Sequence, residues 1–185
     1  MHPLPMPVAA IALMSVFLIV PPGHPAETEP LEVVDSVDLD RYLGKWYEIA
    51  SYPAWFQKNC TAVTADYSLR DDGVIEVINS CRKGTLDGKL KKSKGRAKVV
   101  DAATNAKLKV SFFGPFWGNY WIIDLDPDYQ WAVVGVPNRK YLWILSRTPQ
   151  MDETIYDEIV ERLSARRYDP AKLKRTPQPE TGAPE

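Results

Sequence analysis

The sequence predicts an all-β fold followed by one helix near the C-terminus. Three observations carry this. Apolar and polar residues alternate with a period of two in eight short segments between residues 48 and 146. Turn-forming residues separate nearly every neighbouring pair of segments. Beyond residue 150 the period changes to that of a helix. Eight short strands with brief connections make a sandwich or an antiparallel up-and-down barrel.

The segments, taken in order, are these. Residues 48–52 form a short mixed strand. Residues 61–69 alternate, with Ala65, Tyr67 and Leu69 against Thr64, Asp66 and Ser68. Asp-Asp-Gly at 71–73 turns the chain into residues 74–79. Residues 94–100 place Lys94, Arg96 and Lys98 on one face and Gly95, Ala97 and Val99 on the other. Residues 106–112 alternate cleanly: Leu108, Val110 and Phe112 face in, while Lys107, Lys109 and Ser111 face out. In residues 120–125, Trp121, Ile123 and Leu125 are the purely apolar set, opposite Asp124, and are expected to face in. Residues 130–136 and 141–146 complete the eight. Asp152 then caps a helix with Ile155, Ile159, Val160 and Leu163 at helical spacing and an i,i+4 pair of Glu158 and Arg162. Residues 174–185 are polar and proline-rich and read as a disordered tail.

A closed eight-stranded barrel is just wide enough to be filled by side chains or to hold one small ligand. An eight-stranded membrane barrel needs an apolar outward face. Here one face of residues 94–98 and 107–111 is Lys, Arg and Ser, so the barrel reads as polar outside and apolar inside.

The chain has 185 residues and a net charge of −1, which disfavours nucleic acid as a partner. Residues 1–26 contain no Lys, Arg, Asp or Glu, and hold both histidines, His2 and His24. The apolar run of residues 8–20 is too short to span a bilayer and has the length of a signal-peptide core. Residues 1–26 are therefore read as a leader, and the expected location is the periplasm or the outer membrane. No cysteine precedes Cys60, so an N-terminal lipid anchor on cysteine is not expected. Without its leader the chain has no histidine. That argues against triads, Cys-His dyads, His-ligated metals and His-ligated haem, and no cofactor is expected. The two cysteines, Cys60 and Cys81, fit export as one disulfide, the alternative being two buried thiols. Folding about the 71–73 turn brings residue 60 near residues 81–83, and a small bulge would align the sulfurs.

Gly44-Lys45-Trp46-Tyr47, preceded by a short helical turn at 39–43, resembles the Gly-x-Trp signature of the lipocalin family. Asp126 to Tyr129 lies near the family's second motif, without its usual Thr-Asp-Tyr run. Trp143-Ile144-Leu145-Ser146-Arg147 resembles the third. The three occur in order, a helix follows, and the resemblance covers residues 35–170. Tyr67 to Gly73 and Tyr141 to Pro149 are most similar to the apolipoprotein D-like branch, which includes the bacterial outer-membrane lipocalins. The resemblance implies an eight-stranded antiparallel up-and-down β-barrel with one C-terminal helix packed outside. It also implies a closed end built by Gly44, Trp46 and Arg147, with the guanidinium over the indole.

If the barrel holds a ligand, the inward set lines it: Ala65, Tyr67, Ile75, Val77, Leu108, Val110, Phe112, Trp121, Ile123, Trp143 and Leu145. The alternative is a core filled by these same residues; the small inward Ala50, Ala65, Gly95 and Ala97 argue for space. Trp143 resembles a cavity-lining tryptophan of the family. The aromatic run 112–118 is a loop that would pack locally, cover the barrel floor, touch a membrane surface or dimerise. Trp55 and Phe56 lie in the loop that lipocalins place at the barrel mouth, as a lid or membrane contact. Residues 89–98 carry a run of Lys and Arg, read as a solvated strand face or an attractor of anionic headgroups. The resemblance implies a non-catalytic carrier of one small hydrophobic ligand of the fatty acid or lysophospholipid class, serving lipid trafficking or membrane maintenance, as a monomer or homodimer. The rivals are a filled-barrel interaction protein and a lipid-processing enzyme using the inward Glu48.

Overall fold

The computed structural model describes residues 29–180; the expected leader, residues 1–26, and residues 181–185 lie outside the described residues. A helical turn, α1 (Leu39–Tyr42), leads into eight strands. They are β1 (Gly44–Ser51), β2 (Cys60–Leu69), β3 (Ile75–Lys83), β4 (Leu90–Val99), β5 (Lys107–Ser111), β6 (Gly118–Leu125), β7 (Trp131–Gly135) and β8 (Leu142–Ser146). Each pairs antiparallel with the next, and β8 pairs back onto β1. The sheet therefore closes as an up-and-down barrel, not a sandwich. Helix α2 (Glu153–Ala165) and a two-residue strand β9 (Lys174–Arg175) lie outside it.

The local chemistry accounts for the elements. In the β2–β3 turn Gly73 has φ +77°, the Asp72 side chain accepts from the Val74 N–H at 3.2 Å, and Arg70 N–H donates to Val74 O at 3.0 Å. Helix α2 starts at Asp152, whose carboxylate accepts from the N–H groups of Thr154 and Ile155. Its i,i+4 pair is present, with Arg162 Nη1 3.9 Å from Glu158.

Two apolar layers share the strands. Inside the barrel, Trp46, Tyr67, Val77, Ala97, Leu108, Ile122, Ala132, Val134 and Leu145 form one buried cluster. Outside, Ile49, Ile123, Val133, Leu142 and Ile144 pack with Ile159 and Leu163 of α2 and with Tyr168 in a second cluster. Strands β6, β7, β8 and β1 are thus apolar on both faces, while β2 to β5 keep a solvated outer face.

The β6 expectation is corrected here. Trp121 and Ile123 belong to the outer, helix-side layer, and Tyr120 and Ile122 face the barrel interior. A bulge between Ile122 and Asp124 is the reason. It lets Asp124 turn outward, where it accepts from Arg162 Nε of α2 at 2.8 Å, and returns Leu125 to the inner cluster.

Cys60 and Cys81 are joined in a disulfide with Cα atoms 5.5 Å apart. Cys60 pairs with Lys83 in the ladder, and the register shifts between Thr61 and Thr64, so a bulge brings the two cysteines together.

Residues 174–180 are not a free tail. Strand β9 pairs with Ala50 and Ser51 of β1, where β1 has parted from β2. Thr176 N–H donates to Ile49 O at 2.9 Å, and Ala62 N–H to Pro177 O at 2.7 Å. Gln178 Nε2 donates to Glu48 O at 2.9 Å and Val63 O at 2.8 Å, bridging β1 and β2. The segment fills the seam that the diverging strands leave, satisfying backbone groups that would otherwise be buried unpaired.

Candidate functional site: the barrel interior and its mouth

The up-and-down topology places four of the seven strand connections at one end and three at the other. The β1–β2, β3–β4, β5–β6 and β7–β8 connections surround one end, the mouth. The remaining three, with α1 and the chain after β8, surround the other.

That second end is closed by α1 and Arg147. Trp46 is fully buried and donates its indole N–H to Tyr42 O at 2.8 Å. The Arg147 guanidinium lies over the Trp46 ring at 3.7 Å. It donates to three backbone carbonyls: Lys45 O at 3.0 Å, Arg41 O at 2.6 Å and Tyr129 O at 3.2 Å. Desolvation by burial pulls its pKa down. Gly44 has φ +90°, and a Cβ there would meet Arg147 Nη1 at 3.5 Å. The contact would be an ordinary one, so it is the left-handed backbone that favours glycine before the tryptophan. Above the plug, Tyr67 donates to the Tyr120 hydroxyl at 2.9 Å, and Tyr42 and Tyr120 share a bond at 2.8 Å. Burial raises all three tyrosines, Tyr67 to about 12, so they stay neutral.

Of the residues expected inside, Ala65, Tyr67, Ile75, Val77, Leu108, Val110, Phe112, Trp143 and Leu145 lie together in the inner cluster or packed against it. Trp121 and Ile123 do not. The sequence reading missed Tyr120, Ile122, Ala132 and Val134. A signal for two of these was present: residues 131–136 are apolar without a break, the pattern of a strand covered on both faces.

Coverage within the barrel is uneven. Tyr67, Val77, Leu108 and Leu145 are buried, whereas Val110, Phe112 and Trp143, toward the mouth on their strands, and Asn79, midway along its strand, are only partly covered. Gly95 keeps room for Phe112: a Cβ there would come within 2.7 Å of its ring. Asn79 Oδ1 has no hydrogen-bond partner among the described residues.

A polar chain fixes the mouth tryptophan. Trp143 Nε1 donates to Gln57 Oε1 at 3.2 Å, and Gln57 Nε2 donates to Glu48. The Glu48 carboxylate also accepts from Ser51 Oγ at 2.8 Å and Thr176 Oγ1 at 2.6 Å. Burial raises the Glu48 pKa, and the hydrogen bonds from Thr176, Gln57 and Ser51 oppose that rise. The aromatic loop 112–118 lies at the mouth, not at the floor, on the same end as Trp55 and Phe56.

A family model, the Lipocalin-like domain, matches residues 37–178. The chain belongs to the lipocalin family. It is 42% identical over 179 residues to the outer membrane lipoprotein Blc of Escherichia coli K12, covering 97% of this chain and 99% of that protein. It is 32% identical over 158 residues to mouse (Mus musculus) apolipoprotein D, covering 79% of each. Insecticyanin of the tobacco hornworm, Manduca sexta, has the same fold at a TM-score of 0.67 and 22% identity, over 85% of this chain and 89% of that one. Lipocalins are in general binding and transport proteins for small hydrophobic ligands, and this lipocalin keeps the architecture of that role: a plugged floor, an apolar interior and a partly uncovered upper wall.

Proposed function

We propose that this lipocalin carries one acyl-chain lipid, a fatty acid or lysophospholipid, in the upper half of its barrel with the polar head toward the mouth. The observation that supports the reading most is the incomplete cover of Val110, Phe112 and Trp143 toward the mouth of an apolar inner surface. An acyl chain laid against them would bind at about 25 cal/mol per Å² of apolar surface removed from water, less the cost of association. Asn79 Oδ1 offers an acceptor to a ligand hydroxyl, which favours a lysophospholipid over an ionised fatty acid. A carrier is favoured over a catalyst because both Glu48 oxygens already accept from Ser51, Thr176 and Gln57. An envelope location follows from the charge-free N-terminal stretch and from the likeness to Blc, an outer membrane lipoprotein.

Native mass spectrometry of the protein purified from its own envelope fraction tests this. The expected spectrum has one lipid adduct per chain, and Trp143→Ala loses it or weakens its retention about tenfold. A protein that arrives without lipid and takes up neither oleate nor lysophosphatidylglycerol saturably would instead be a filled barrel.

A further inference from the structure

We propose that the mouth of the barrel docks on an anionic lipid bilayer, with Trp55, Phe56, Phe113 and Phe116 seated among the headgroups and the mouth lysines against the phosphates. The docking stands on surface geometry and charge; only the identity of what is exchanged there rests on the carrier reading.

The first observation is where the exposed apolar side chains lie. Trp55 is 82% exposed, Phe113 and Phe116 each 78%, and Phe56 47%. All four sit on mouth connections, and Leu86 and Leu90, also exposed, flank the β3–β4 hairpin at the same end. Three of the four mouth connections are in contact: Gly84 N–H donates to Asn59 O at 3.0 Å, and the Phe56 and Tyr141 rings are 5.6 Å apart. Large aromatics held in water at one end of a molecule mark an interaction surface. Aromatic rings are also the side chains that settle at the membrane–water boundary.

The second observation is charge. The mouth connections, residues 52–59, 84–89, 112–117 and 136–141, carry Lys58, Lys89, Arg139 and Lys140 against one carboxylate, Asp87. The adjoining strand ends add exposed Lys83, Lys91 and Lys92. The connections at the closed end, residues 70–74, 100–106 and 126–130, carry Asp71, Asp72, Asp101, Asp126 and Asp128 against Arg70, and the adjoining strand ends add Glu76 and Asp124 against Lys45, Lys98 and Lys107, so this end stays acidic. A molecule that is almost neutral overall is therefore charged along its barrel axis. An anionic surface attracts the mouth and repels the floor, which orients the opening toward the membrane. A second copy meeting mouth to mouth would bring like charges together, so the lipid surface is the complementary occupant.

The third observation is a continuous aromatic path. Trp55 and Phe56 are 5.6 Å apart, Phe56 and Tyr141 5.6 Å, and Tyr141 and Trp143 5.9 Å, ring centre to ring centre. It begins at the most exposed aromatic and ends inside the barrel, so an acyl chain could leave a bilayer along it without crossing open water.

Vesicle flotation decides the matter. The expected result is that the purified protein floats with vesicles of equimolar phosphatidylcholine and phosphatidylglycerol, far less with phosphatidylcholine alone, and less as salt rises. The double variant Phe113→Ser/Phe116→Ser should lower partitioning about tenfold or more, while Leu69→Ser/Ile155→Ser, also exposed but away from the mouth, should stay within about twofold. Equal flotation on both lipids, or equal losses in both double variants, overturns the docking. So does a dimer in solution that Phe113→Ser/Phe116→Ser dissociates while flotation is unchanged. Uptake of soluble lysophosphatidylglycerol by the wild type separates the two readings: its absence defeats the carrier and leaves the flotation result standing.

Discussion

Replacing Arg147 with Met tests whether the plug at the barrel floor is held by the guanidinium. Methionine keeps the apolar stem and removes the charge and all donors. Two losses follow. The cation–π contact at 3.7 Å from a fully buried indole contributes about 1–2 kcal/mol for a partly desolvated pair. The bonds to the Lys45, Arg41 and Tyr129 carbonyls would each be worth more in a dry site. Arg147 is only half-buried, and these carbonyls regain water when it is gone. Together they are therefore assigned about 1–2 kcal/mol more. The expected loss is roughly 2–4 kcal/mol, or about 5–15 °C in Tm for a domain of this size. Arg147→Lys should fall between, since an ammonium keeps the charge but lacks the planar fork that reaches three carbonyls. Urea unfolding followed by circular dichroism gives the magnitude, and a double-mutant cycle with Trp46→Leu isolates the pair. A coupling energy of about 1–2 kcal/mol is expected. A loss below about 1 kcal/mol, or no coupling, would refute the view that charge over the indole closes the barrel.

The disulfide closes a loop of 21 residues, so Cys60→Ser/Cys81→Ser should cost about 3 kcal/mol, read as a lowered urea midpoint that reductant produces equally in the wild type. No shift in either would mean that the β2–β3 ladder alone holds that end. Glu48 gives a pH dependence. Its folded pKa is raised by burial, so the folded state keeps the proton to higher pH than the unfolded chain. This contribution to stability is fully present below the ordinary carboxylate range and is lost as pH rises through the folded value. Glu48→Gln should flatten that slope in unfolding measured from about pH 4 to 7. An unchanged slope assigns the titration to another group.

Much of the fold was legible because the chain writes it locally. The helix cap at Asp152, the 71–73 turn and the alternation in β5 are chemical signals that need no partner. The parity of β6 was not legible. Asp124 opposes Trp121 and Ile123 in simple alternation, which marks the wrong face as apolar. Only the bulge, and an Arg162 on a helix some forty residues later, lets the carboxylate turn outward. The ordering of 174–180 was hidden for the same reason. A polar, proline-rich segment reads as solvated until a seam elsewhere offers it unpaired carbonyls and N–H groups. The interior could be traced from strand alternation, but the polar chain through Gln57 could not, since it joins a loop, a strand and the tail.

That chain ties a buried carboxylate to the tryptophan beside the opening. Hydrogen bonds have a direction, and here it runs one way: the Trp143 indole can only donate, so Gln57 must present its oxygen to it and its amide hydrogens to Glu48. Glu48 must then accept, from Gln57 and from Ser51 and Thr176 as well. Turning Gln57 over would set its amide hydrogens against the indole N–H, and a glutamine at position 48 would have to present its oxygen to Gln57 and its amide group to the Ser51 and Thr176 hydroxyls, which would then accept. The desolvation that raises the Glu48 pKa is opposed by the hydrogen bonds this network gives the carboxylate. Its effect is to fix the Trp143 ring from two directions, through the mouth loop and through the tail that seals the β1–β2 seam. Trp143 is the inner end of the aromatic path and the partly uncovered wall beside it. The orientation of the residue best placed to meet a ligand therefore depends on a segment that never enters the barrel.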